Sequence, residues 1–98
     1  MTVVRAARRH YGLRIEIVDL GAWAERGLNA EYDGRGPTIR VNARRMDALH
    51  GSARRRFFVR AVAHELYHHL EAIGAVARMR PRAERECAAD AFARALVP

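Results

Sequence analysis

Ninety-eight residues leave room for one domain, and a 50% share of apolar residues suffices for a single core. No apolar run approaches the roughly 20 residues of a membrane span, and the lone cysteine, Cys87, excludes an intrachain disulfide and a multi-cysteine metal site. The net charge of +7 comes from 18 basic residues, all of them arginine, which favours acidic partners; nucleic acid stays open on charge alone, without an aromatic-interleaved motif to read it.

The first apolar residues precede the arginines, the reverse of a secretory signal, so a cytoplasmic location is expected. Residues 3–10 read as a short helix ended by Gly12. Leu13, Ile15 and Ile17 then alternate with Arg14 and Glu16, the period of a strand with one buried face. A connecting piece carries Trp23, expected in the core, and ends at Gly27. Residues 28–32 form a second strand, Asp33-Gly34-Arg35-Gly36-Pro37 a turn, and residues 38–42 a third strand. The Asp-Gly turn makes the last two strands an antiparallel hairpin.

From there the period becomes helical. Val59, Val62, Ala63, Leu66, Leu70 and Ile73 recur at steps of three and four, the stripe of one long helix. It starts near Ser52, a good N-cap residue, and stops at Gly74. Pro81 suits the first turn of a last helix running towards Val97, with Ala89, Phe92 and Leu96 as its apolar face. The order predicts one α+β domain over residues 1–98, a small three-stranded sheet packed on the long helix and the last one.

His64-Glu65-Leu66-Tyr67-His68 places a His-Glu-x-x-His motif inside the long helix. Residues four apart lie about 40° from each other around a helix and one turn up, so two imidazoles can reach one ion. Both histidines point almost opposite Val62, Leu66 and Leu70, so one side of the helix packs while the other faces a site. Glu65, displaced by about 100°, can reach a metal-bound water rather than the metal. The last helix adds Glu86 and Asp90, four apart and therefore on one face. A catalytic zinc takes three protein ligands and keeps a fourth position open. Glu86 is the candidate third ligand. Asp90 can then accept a hydrogen bond from the non-metal nitrogen of a ligand histidine, fixing the ring's tautomer.

With these residues the chain resembles the gluzincin metallopeptidases, and within them the ImmA/IrrE-type endopeptidases and minimal single-domain gluzincins. The resemblance rests on His64-Glu65-Leu66-Tyr67-His68-His69-Leu70 and on Glu86 followed by Ala89-Asp90 and Phe92-Ala93. Tyr11-Gly12-Leu13, Ile39-Arg40-Val41-Asn42, the run at 54–58 and the terminal Leu96-Val97-Pro98 extend it over essentially the whole chain. Tyr67 departs from it, standing where such proteins commonly have glycine. It implies a zincin-like fold holding one Zn²⁺ per chain on His64, His68 and Glu86, with Glu65 as general base and Asp90 behind the ligands. It also implies substrate laid along an exposed edge of the strand at 38–42, and relatives that cleave transcriptional repressors.

The expected reaction is peptide hydrolysis. Zinc lowers the pKa of a bound water from near 16 towards about 7, and Glu65 takes the proton and passes it to the leaving amine. A further donor must meet the negatively charged intermediate. Tyr67, Tyr32 and His50 are candidates, with Tyr11 and several arginines behind them. His69, about 100° from His68, falls beyond reach of the same ion. Glu71, seven residues after His64 on the same flank, can stand behind the ligands, with a surface acid paired with an arginine as the favoured reading. His10 and His50 are expected as surface residues, Cys87 as a small buried side chain, and Phe57 and Phe58 as core. The partner is a protein or peptide, a DNA-binding repressor among the possibilities. The competing reading is a zinc-containing protein-interaction module, toxin–antitoxin or phage-related, that binds without cleaving; an intact Glu65 speaks against it.

Overall fold

The chain's computed structural model describes residues 2–21, 28–78 and 81–98, so the expectation for Trp23 lies outside the described residues. The first helix, α1 (Thr2–Arg5), widens into a π-helical turn over Ala6–His10, where the Tyr11 N–H donates to Ala6 O at 3.1 Å. It stops at Gly12, whose φ of +67° few other residues would accept.

Three strands follow: β1 (Arg14–Val18), β2 (Ala30–Asp33) and β3 (Thr38–Asn42). The expected hairpin forms, with Tyr32 opposite Ile39 and Asp33 opposite Thr38. The sheet order is β1-β3-β2, and β1 runs parallel to β3 with Ile15 opposite Ile39. This overturns one expectation. The strand at 38–42 offers no edge to a substrate, because its own chain covers it on both sides and four of its five residues are buried. Alternation turns Ala30, Tyr32, Ile39 and Val41 towards the helices, with Ile39 and Val41 fully buried. On the other face Arg40 lies 3.4 Å from Asp33, 3.7 Å from Glu16 and 3.8 Å from Glu31.

Asn42 ends β3 and starts a short helix absent from the sequence reading, α2 (Ala43–Asp47). Its side chain is wholly buried, accepts from Arg44 N at 3.1 Å as an N-cap, and donates to Leu28 O at 3.0 Å. The long helix, α3 (Gly51–Ala72), begins one residue before Ser52, which therefore sits in its first turn and does not cap it. At its other end Ala75 N donates to Leu70 O and Gly74 N to Glu71 O, the paired bonds of a Schellman stop around Gly74 at φ +77°. The last helix, α4 (Arg82–Leu96), starts immediately after Pro81.

The core lies between the sheet and α3. Val59, Val62, Ala63, Leu66 and Leu70 are buried as the stripe required, whereas Ile73 falls at the helix stop and is exposed. Phe57 and Phe58 are half-buried against the core. Helix α4 packs on α3 through a narrow line of alanines, Ala89 and Ala93. Leu96 and Cys87 fall outside that line and are exposed, against expectation for both. No helix among the described residues is long and apolar enough to cross a membrane.

Candidate metal centre

Helices α3 and α4 lie antiparallel, so the motif histidines on one meet the acids of the other turn by turn. Glu86 lies between the two rings, its Oε1 3.0 Å from His64 Nε2 and its Oε2 2.9 Å from His68 Nε2. Among the described residues these three form the cluster able to hold a metal, with one donor atom from each all within 4.8 Å of one another. Three atoms on a tetrahedral ion with bonds of 2.0–2.1 Å would be separated by about 3.3 Å, inside the 4.8 Å spread of these donors.

The second nitrogens of both rings are also held. His64 Nδ1 donates to Asp90 Oδ1 at 2.8 Å, the contact expected of Asp90. His68 Nδ1 donates to Glu71 Oε1, also at 2.8 Å. A carboxylate at Nδ1 selects the tautomer that carries its proton there and turns the Nε2 lone pair to the other side. With both rings neutral, two such lone pairs face the oxygens of one carboxylate, an arrangement that a cation between them would satisfy. The charges agree. Four carboxylates, those of Glu65, Glu71, Glu86 and Asp90, lie within 3.8 Å of a nitrogen of these rings. The residues present therefore fit a divalent ion of the two-histidine, one-carboxylate kind.

Glu71 takes the less favoured of its two expected places. It does pair with an arginine, accepting from Arg85 Nε and Nη2 at 3.2 Å each, but its side chain is only 1% exposed. The Arg85 and His68 contacts hold its carboxyl below the ordinary range, against the pull of burial. Glu71 orients the second histidine as Asp90 orients the first. A signal was present in the sequence: a carboxylate three residues after a histidine lies beside it on a helix.

Glu65 sits at the foot of the site, 7% exposed, with Oε2 3.8 Å from His64 Nε2. Burial pushes its pKa up from the ordinary 4.5 to about 7, and the two histidines partly oppose that rise. A raised pKa means that the fold prefers protonated Glu65. The stability this confers is complete below pH 4.5 and is lost as the pH rises through about 7. In chelator-treated protein, Glu65→Gln is therefore expected to match wild type at pH 4 and to exceed it at pH 8, by up to about 3 kcal/mol in urea unfolding.

The remaining candidates distribute as follows. Tyr32 and His69 share a hydrogen bond of 2.8 Å; burial raises the phenol and lowers the imidazole, so the neutral pair is the stable one. His69 is buried and outside the metal-capable cluster. The Tyr67 ring packs at 5.4 Å from Phe92, beside His68. His50 and His10 are exposed. His50, at the far end of α3, is roughly 21 Å along the helix axis from His64 and does not meet the cluster.

A cleft of about 620 Å³ opens from the metal-capable end along α3, bounded by α4 and by Leu28, Asn29 and Ala30 at the start of β2. No protein-family model, curated protein or solved structure matches the chain. The Nδ1 contacts offer the mildest probe of the site's chemistry. Asp90 is exposed, so Asp90→Asn is expected to leave the fold intact. It should weaken zinc binding by about ten- to a hundredfold in competition with a chelating dye.

Proposed function

We propose that the chain is a zinc-dependent endopeptidase of gluzincin type, its sheet, α3 and α4 packed in the zincin manner. One observation carries the reading: two imidazole Nε2 atoms converge on Glu86, each ring held from behind by a carboxylate, with a buried glutamate alongside. A bound Zn²⁺ would supply Lewis-acid polarisation of a carbonyl and acidification of a water. His64, His68 and Glu86 would hold that ion, and Asp90 and Glu71 keep both rings aimed. Glu65, buried beside the cluster, takes a proton from the attacking water and returns it to the leaving amine. Tyr67, on α3 beside His68, and Tyr32, on β2 with its hydroxyl against His69, remain the candidate donors to the charged intermediate; His50 is too distant. A site built only for structure would normally fill the fourth position, whereas this cluster has three members among the described residues.

The substrate strand belongs beside β2, not β3. Asn42 N donates to Asn29 O at 2.9 Å, so the antiparallel alternation turns the amide groups of Asn29, Glu31 and Asp33 towards β3. Those of Ala30 and Tyr32 point outward along an edge that no strand among the described residues covers. An extended protein segment can add to that edge by main-chain hydrogen bonds, with its scissile bond over the cluster. A regulatory protein such as a transcriptional repressor is the partner that suits the resemblance. Proteolysis of an unstructured protein by wild type and by Glu65→Gln at equal zinc content is the test.

A further inference from the structure

Away from the metal-capable end the cleft changes its chemistry. Its acidic lining residues, Glu65, Glu86 and Asp90, all stand at that end, and the other charged residues lining it are Arg45, Arg56, Arg60 and Arg94. Arg60 and Arg56 precede His64 by one and two turns of α3, and Arg94 follows Asp90 by one turn of α4. Because the helices are antiparallel, these three arginines gather from two sides on the same half of the cleft. Arg56 and Arg94 are exposed, and neither makes an ion pair among the described residues. Arg60 donates from Nη2 to Val97 O at 2.8 Å, while its Nε, shielded from water, has no acceptor. Guanidinium groups gathered in a groove suit planar anions, and carboxylates above all, through paired N–H donors.

We propose that this half of the cleft is a subsite for acidic side chains, selecting peptides that carry glutamate or aspartate a few residues from the bond to be cut. The spacing follows from the helices. One to two turns place the arginines about 6–12 Å along the axis from the cluster, and an extended chain covers that distance in two to four residues. The position relative to a scissile bond rests on the peptidase reading; the acidic preference itself is a binding property and can be read without turnover. A peptide suits the groove better than a nucleic acid. The carboxylates of Glu65, Glu86 and Asp90 would repel phosphates that continue through it, and the edge of β2 offers the alternating main-chain donors and acceptors that an extended peptide pairs with.

The test uses zinc-loaded Glu65→Gln protein, expected to turn over its ligand at least a hundredfold more slowly than wild type, and a fluorescein-labelled decapeptide alternating glutamate with alanine. Its glutamine counterpart and a labelled ten-nucleotide oligothymidine serve as comparisons, read by anisotropy at physiological salt. The glutamate peptide is expected to bind about ten times more tightly than the glutamine peptide. Adding Arg56→Glu and Arg94→Glu should remove that preference, because two exposed ion pairs are worth about this factor together. Adding Arg8→Glu and Arg9→Glu, the same charge change on the first helical segment, should preserve it. Equal binding of the two peptides overturns the proposal. So does a preference lost equally in both double variants, which reports net charge alone, or oligothymidine that binds as tightly as the glutamate peptide. Wild type that cleaves a random peptide library without acidic selection overturns the subsite and leaves the peptidase standing. Acidic binding without cleavage by wild type does the reverse.

Discussion

Zinc-loaded Glu65→Gln is expected to cleave an unstructured protein at least a hundredfold more slowly than zinc-loaded wild type, while holding the same zinc per chain. The factor follows from Glu65's place. A positioned general base contributes about 10²–10⁴ to such a step, and glutamine fills the same buried volume without a carboxylate to receive a proton. Because Glu65 stands beside the ligand cluster and is not one of its members, zinc content separates lost chemistry from lost metal. Equal cleavage by the two proteins would remove Glu65 from its role. Absence of cleavage from both, with one zinc on each, would favour the interaction module.

His68→Ala is expected to abolish stabilisation by zinc. A site that binds only the folded chain contributes about 4 kcal/mol when free zinc exceeds the dissociation constant a thousandfold. For a domain of this size that moves the melting temperature by on the order of 15–30 °C. The variant loses one of three ligands and leaves Glu71 without the ring it orients, so its melting temperature should be nearly the same with zinc as with chelator. Wild type should lose its gain on chelation and recover it when zinc is restored. A variant that keeps the full zinc-dependent shift would place the ion elsewhere.

The parts of the site that share a helix were legible from the chain alone. A period of 3.6 residues ties His64 to His68 and Glu86 to Asp90, and it separates both pairs from the apolar stripes, whatever the rest of the molecule does. Contacts between elements were less so. Glu71 reads first as a surface acid because its arginine, Arg85, lies on the other helix, and only the packing of α3 on α4 buries the carboxylate. The strand Thr38–Asn42 shows which residues face the core but not which strands lie beside it, so its central place was invisible. A clue did exist: Asn42 is a strong cap residue, and the helix it starts was there to be read. Cys87 and Leu96 misled because an alanine-lined contact buries only a narrow strip of α4.

The order β1-β3-β2 also bears on how the molecule assembles and loosens. Partners in the hairpin are close in sequence, Asp33 opposite Thr38, whereas β1 meets β3 across 24 positions, Arg14 opposite Thr38. Closing the short loop costs less chain entropy, so the hairpin can dock on α3 before β1 arrives, and β1 can depart first. Its amide protons should then trade with deuterium sooner than those between β2 and β3. That opening takes away the outer strand of the sheet on the side opposite β2, while the cleft, which β1 does not line, keeps its walls.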